Sequence, residues 1–401
     1  MQVRQGDHGV TVPLGYKAGA VACGIKDGSE KQDLGVIVSA EPAAAAAVFT
    51  QNRAAAAPIH LDRERIKSHR VSAIVANSGN ANASTGAQGL KDAIAMGALI
   101  AERFAAPADD VLVFSTGVIG IPMPMDRVEA GIAQVEVSAD GGQDFARAIM
   151  TTDTRMKSCS IGLEIDGVTM HIGGAAKGSG MIHPNMATLL GFLTTDARVE
   201  PGFLQASLAA AVERSFNMIS VDGDTSTNDA VVLLANGASG GAYLHAKHPA
   251  AAVFADALTT LCVDLAKQLA ADGEGARTLV EIQVAGARSV RDAREIARSI
   301  SRSNLVKTAV FGGDPNWGRI ICAAGYAGCD FDPDLATLFL NDVRLYDKGL
   351  GLPYSREATS AMLKAPVVTV RLDLGLGDGS ATAWGCDMSY DYVRINAEYT
   401  T

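Results

Sequence analysis

Residues 173–196 read GGAAKGSGMIHPNMATLLGFLTTD, and the rest of the chain is interpreted outward from this stretch. Its first half is small residues around one lysine, Lys177. Its second half turns apolar and strand-favouring from Leu189, through Leu190, Phe192 and Leu193. Glycine has no Cβ, so such a loop lets the backbone come close to a ligand, and the junction residue, Thr188, falls on a pocket floor. Two readings of Thr188 are open. Threonine is a common strand residue, and here it opens a strand. It is also the nucleophile of chains that cut themselves. There the hydroxyl attacks the preceding carbonyl, the Ala187–Thr188 bond breaks, the resulting ester is hydrolysed, and the freed α-amine serves the hydroxyl as general base.

Upstream, an apolar strand at 71–76 runs into the loop 77–83, and another at 111–114 exits into Ser115-Thr116-Gly117. By turn propensity the latter is a Thr-Gly turn. It equally suits an oxyanion hole, with the Thr116 hydroxyl and the Gly117 N–H as two fixed donors for a developing alkoxide. Asp166-Gly167 between two apolar runs predicts a hairpin. Apolar spacing predicts helices near 90–105, 126–149 (broken at Gly141-Gly142), 201–215, 249–271 and 290–303. Strands are expected at 9–13, 34–39, 47–50, 230–235, 278–284, 336–340, 366–373 and 381–386. The run Ala43–Ala47 reads as a helix turn or a tight bend. Residues 222–229 lack the central glycine and distal glutamate of a calcium loop and read as a polar turn beside the site. Glu274, set between two glycines, is by default a solvated loop carboxylate, and the tail 393–401 a frayed end.

The chain has 401 residues, 48% hydrophobic and 19% charged, with a formal charge of −10. That length allows two or three domains or one large intertwined α/β unit. Aromatics make up only 5% and glycines number 42, so packing must rely on close backbone approach. The negative balance disfavours nucleic acid, whose binding runs on clustered Lys and Arg, and disfavours anionic membranes. The sequence has no apolar run long enough to span a bilayer, and its start, MQVRQGDHGV, has no apolar signal core; a cytoplasmic protein is expected. Six scattered cysteines without a CxxC pair point to free thiols rather than disulfides or a metal site. The formal GxSxG at 237–241 fails as a hydrolase elbow, because no acid separates Ser239 from His245 and His248 and no histidine follows them. Lys177 lacks P-loop spacing. His183, near Thr188, reads as a loop histidine rather than a base.

Lys177-Gly178-Ser179-Gly180-Met181-Ile182, then Pro184 and Met186-Ala187-Thr188, resembles the processing motif of the ornithine acetyltransferases (glutamate N-acetyltransferases). Residues 77–83 (NSGNANA), 115–120 (STGVIG), 150–154 (MTTDT), 221–229 (VDGDTSTND) and 312–319 (GGDPNWGR) resemble the same family, in its order along essentially the whole chain. His183 and Leu189 depart from the pattern, standing where alanine and methionine are expected. The resemblance implies an α/β fold of the N-terminal-nucleophile type, with layered sheets between helices in two interlocked lobes. It also implies self-cleavage into pieces 1–187 and 188–401 that assemble as an α2β2 heterotetramer. The implied activity is ping-pong transfer of acetyl from N-acetylornithine to glutamate through acetyl-Thr188, with Thr116 and Gly117 as oxyanion hole. Acetyl-CoA is a further candidate donor. Thr151 (to within one residue), Lys177, Thr188, Glu274, Asn396 and Thr401 would hold substrate, with no cofactor and no metal. Two rivals stand beside this: a self-processing amidase or aminopeptidase, which would use water in place of the amine acceptor, and a non-catalytic small-molecule binder, which would stay one chain.

Overall fold

The computed structural model describes residues 2–26, 28–183 and 189–398. Ala187, Thr188 and Thr401, named above, lie outside the described residues.

The hairpin at Asp166-Gly167 forms as read. Both residues have positive φ, 53° and 77°, the pair of left-handed dihedrals that a two-residue turn between twisted strands requires. It joins Lys157–Ile165 to Val168–Lys177. The second of these pairs antiparallel with Leu190–Thr195, Lys177 opposite Leu190. The stretch that opened the sequence analysis therefore leaves the sheet on one strand and re-enters it on the next. On its far side Leu190–Thr195 pairs in parallel with Ala230–Ala235. The sheet continues through Leu34–Phe49, Arg70–Asn80 and Val111–Val118, with Tyr16–Val21 beside part of Leu34–Phe49 and Val3–Gln5 at the opposite edge, nine strands in all. Two central strands thus come from beyond position 188, inside a sheet otherwise built from residues before it. The lobes interlock in the manner expected.

Three local expectations give way. The alanines 43–47 are neither helix turn nor bend but the inner part of the 16-residue strand Leu34–Phe49. Ala43, Ala45 and Ala46 are wholly buried, and the ladder to Ala230–Ala235 decides their conformation where propensity does not. The pieces expected at 34–39 and 47–50 are that same strand; its pairing with Arg70–Asn80 shifts register between Val38 and Ala43. Residues 9–13 hold no strand: Gly9–Thr11 is a 3-10 turn. It lies flat on the sheet, so close that a Cβ on Gly9 would stand 2.6 Å from the Gly174 carbonyl oxygen.

A second, seven-stranded sheet contains Leu279–Ala287, Val367–Asp373 and Gly379–Cys386 at its centre. The long helix Ala251–Ala271 bridges the two sheets. Toward the first it packs closely: a Cβ on Gly174 would stand 2.9 Å from Leu265 Cδ1 and 3.2 Å from Leu261 Cδ2. Toward the second, Lys267 pairs with Glu281 at 2.9 Å and lies over the Trp384 ring. The product is a layered α/β protein, its small residues spent on close approach.

Just past that helix, Asp272 and Asp153 both hold Lys157, each at 2.6 Å, with all three side chains at most 4% exposed. Burial alone would raise the Asp153 carboxyl; Lys157, Lys177 and the Gly178 N–H outweigh it and hold it below the usual carboxylate range. The stabilisation is therefore present above the ordinary aspartate value of about 3.9 and is lost as pH falls through the lower, folded value. Lys157→Met should cost about 3–5 kcal/mol in urea denaturation, since it strands two buried carboxylates. An unchanged midpoint would mean that the site relaxes or takes up a proton at no cost.

Candidate active site

Thr116 and Gly117 lie in the last three residues of the strand Val111–Val118. Gly117 has φ 133°, and a Cβ there would lie 2.3 Å from the Gly79 carbonyl carbon. No other residue fits, so the tight exit is built into the backbone. Lys177, the last residue of its strand rather than part of a loop, donates from Nζ to Thr116 Oγ1 at 3.2 Å. An ammonium only donates and a hydroxyl has one proton, so the Thr116 proton must point away from Lys177. Lys177 is buried. Burial lowers its pKa below the usual lysine value, Asp153 opposing and Lys157 reinforcing the fall.

These groups line a cavity of about 780 Å3, its open mouth included, whose wall also holds Thr151, Thr152, Glu274 and Asn396. Leu189 and Leu190, which directly follow Thr188 in sequence, form part of the same wall. Glu274 is buried, not solvated. Its N–H donates to the Ser179 carbonyl at 2.9 Å, and its Oε2 accepts from Asn396 Nδ2 at 2.7 Å. Gly180 makes room for that carboxylate; a Cβ there would sit 2.4 Å from it. Asn396 belongs to a helix, Tyr390–Glu398, so the described part of the tail is folded against the site. Six residues singled out in the sequence, Thr116, Gly117, Thr151, Lys177, Glu274 and Asn396, share one cavity, and so does the neighbouring Thr152.

Two residues that shape or line the cavity escaped the sequence reading. Asp153 Oδ2 accepts from Thr151 N at 3.0 Å and its Oδ1 from Gly178 N at 2.8 Å, so one buried carboxylate fixes two segments of the wall. Its signal was its place in MTTDT between the threonines. Asp229 also lines the cavity, is 3% exposed, and has an Oδ2 with no hydrogen-bond partner among the described residues. Burial raises its pKa well above the carboxylate range, against the pull of Ser226 and Lys177. It ends the polar turn whose last four residues, 226–229, line the cavity as expected.

His183 is a loop histidine with two side-chain neighbours. Its Nε2 faces Arg298 Nη2 at 3.1 Å and its Nδ1 faces Ser220 Oγ at 3.1 Å. Guanidinium donates only, so Nε2 accepts and the ring proton sits on Nδ1. Burial, then Arg298 and Arg302, pull its pKa down to about 4. It is a neutral bracket outside the cavity. All six cysteines are free. Among the described residues no cluster of His, Cys, Asp or Glu is placed to hold a metal, and no helix is long and apolar enough to cross a membrane.

The cavity offers a hydroxyl and a glycine at a strand exit, one buried cation, two buried carboxyl groups and two side-chain amides. With the layered sheets, this defines an α/β protein with a polar cavity lined by ionisable side chains. The family follows from comparison with known proteins. The profile of the ArgJ family matches residues 17–401, and the chain belongs to that family. It is 50% identical over 396 residues to the "Arginine biosynthesis bifunctional protein ArgJ" of Symbiobacterium thermophilum, covering 98% of each chain. To the protein of the same name from Dehalococcoides mccartyi it is 49% identical over 396 residues, again covering 98% of each. Among solved structures it resembles the ArgJ protein of Bacillus halodurans, at 46% identity and a TM-score of 0.52, over 53% of this chain and 100% of that one. The resemblance read from the sequence motifs is thereby borne out.

Proposed function

We propose that the protein transfers the acetyl group of N2-acetyl-L-ornithine to L-glutamate in arginine biosynthesis, by way of an acetyl ester on Thr188. The observation that carries this is the convergence on one cavity of Thr116, Gly117, Thr151, Lys177, Glu274 and Asn396, with Leu189 in its wall. The chain cuts itself between Ala187 and Thr188. Residues 188–401 are 214 of 401, the same 53% share that the solved Bacillus halodurans chain spans, which supports two pieces. The pieces remain together because their strands alternate in one sheet, and they assemble as α2β2 in the cytoplasm.

In the first half-reaction Thr188 Oγ attacks the acetyl carbonyl while its proton passes to the Thr188 α-amine. Free α-amines titrate near 7.7–8.0, so a neutral fraction exists at neutral pH. Thr116 and Gly117 receive the oxyanion. The C–N bond breaks, and ornithine leaves with the proton. Glutamate then enters, its amine attacks the ester, and N-acetylglutamate departs as the Thr188 hydroxyl is restored. One cavity serves both because both share an α-amino-acid end, held by Lys177, Thr151, Glu274, Asn396 and Thr401. Acetyl-CoA is a second donor, in keeping with the "bifunctional" in the relatives' name.

The test is direct: intact mass under denaturing conditions, with acetyl transfer assayed on the same sample. Two masses and turnover far faster with glutamate than with water are expected. Two masses with hydrolysis alone would make it an amidase, and a single mass without transfer a binding protein. Asn396→Ala should raise KM for both N-acetylornithine and glutamate, by about 1–3 kcal/mol if it strands a buried substrate group, while cleavage stays complete. An unaltered KM for both would remove the tail from substrate binding.

A further inference from the structure

Behind the acyl cavity lies a second hollow of about 1420 Å3, mouth included, with four arginines in its wall, Arg291, Arg294, Arg298 and Arg302, against two glutamates, Glu213 and Glu295. All four come from the helix Val290–Arg302. Spacings of three and four residues set them along one helix face. Like charges so placed repel one another, and the chain as a whole carries −10. Arg294 is tied to Glu213. Arg298 is held by the Asn217 carbonyl and by His183, which is neutral and adds no charge. Arg291 and Arg302 are exposed and make no hydrogen bond or ion pair among the described residues. The hollow is thus a cationic comb, its middle teeth fixed and its outer teeth open.

Its position gives the comb meaning. Ile182 lines the acyl cavity and His183, next in sequence, lines the arginine hollow; Ser226 lines the first and Thr225 the second. The two segments are joined by one antiparallel bridge, Ile182 to Thr225, closed by a 2.9 Å bond from Thr225 Oγ1 to the His183 carbonyl. Among the described residues the two hollows are therefore neighbours that meet at this bridge. Guanidinium forks match phosphate oxygens in bidentate geometry, and several together suit a ligand with more than one phosphate. A molecule using both hollows has phosphates at one end and an acyl group at the other.

We propose that the arginine hollow binds the phosphates of a nucleotide-linked acyl thioester, whose acyl end is delivered to the neighbouring cavity. This rests on the acyl-transfer reading above. In the step implied, the thioester C–S bond breaks, an ester bond to Thr188 Oγ forms, and the thiol leaves with the hydroxyl proton. The comb also separates the two donors, since N-acetylornithine carries no phosphate and has no use for it.

The experiment compares wild type with Arg302→Ala and Arg291→Ala, singly and together, on three donors: acetyl-CoA, S-acetyl-N-acetylcysteamine, which lacks phosphates, and N-acetylornithine. KM for acetyl-CoA should rise about tenfold in the double variant, the loss of charge-assisted hydrogen bonds, and the other two should stay within about twofold. Calorimetry with 3′,5′-ADP should show binding to wild type that the double variant loses, with inorganic phosphate binding far more weakly. Equal losses on all three donors would mean a structural role and overturn the proposal. So would unchanged acetyl-CoA kinetics, no 3′,5′-ADP binding to wild type, or inorganic phosphate binding as tightly as the nucleotide. If N-acetylornithine is not a donor the acyl-transfer reading fails by itself, and the nucleotide titration still reports on the hollow.

Discussion

Thr188→Ala should leave a single uncut chain of 401 residues with no measurable acetyl transfer. Two losses are combined in that one change. The alanine has no hydroxyl to attack the preceding carbonyl, so the bond to Ala187 persists. The uncut chain then has neither nucleophile nor free α-amine, the two groups on which the covalent step depends. Folding should survive, because the strands on either side, Val168–Lys177 and Leu190–Thr195, are paired through their own backbone. A denaturing gel, native size measurement and single-turnover assay on the same preparation check all three statements. Two fragments from the alanine variant would sink self-cleavage and require an outside protease. Thr188→Ser keeps the hydroxyl and should still cut at an altered rate, since serine lacks the methyl that restricts χ1.

What the sequence disclosed about this site depended on whether a residue's role is set locally. The Asp166-Gly167 hairpin was legible because its two left-handed dihedrals are a property of those two residues. Thr116 and Gly117 were legible as a strand exit for the same reason. The conformation of Ala43–Ala47 was not, because alanine's own preference is weak and a ladder to residues almost two hundred positions away decides it. Glu274 and Asn396, 122 positions apart, look like a solvated loop and a frayed end until they meet across the cavity. Only the resemblance to a family marked them. Asp153 and Asp229 show the opposite limit. Both stood in quoted motifs, yet an aspartate in a polar turn is ordinarily solvated. Burial is what makes one of them a bracket for two walls and leaves the other with an oxygen unpartnered among the described residues. For His183 the sequence showed the loop but not its partner Arg298, 115 residues downstream.

Thr116→Ala should lower kcat for acetyl transfer by about 10²–10³, the usual effect of losing one oxyanion donor, with KM nearly unchanged, because that hydrogen bond strengthens only as charge develops. The structure adds a second arm to this prediction. Lys177 Nζ donates to Thr116 Oγ1 at 3.2 Å, which occupies a lone pair and keeps the hydroxyl proton from pointing at Lys177. With Lys177→Met the hydroxyl turns freely, so kcat should fall about tenfold even where substrate saturates, beyond any rise in KM from a lost substrate contact. If Lys177 acts through Thr116, the two changes are not independent. Groups in direct contact show coupling of about 0.5–3 kcal/mol in double-mutant cycles, so Thr116→Ala with Lys177→Met should lose clearly less than the product of the single losses. In the proposed mechanism processing draws on the same donors, so each kcat must be referred to the fraction of enzyme already cut. Full additivity in that cycle, with Lys177→Met changing KM alone, would make Lys177 a substrate contact and nothing more. A normal kcat with raised KM in Thr116→Ala would do the same for Thr116, and would leave the oxyanion to the Gly117 N–H.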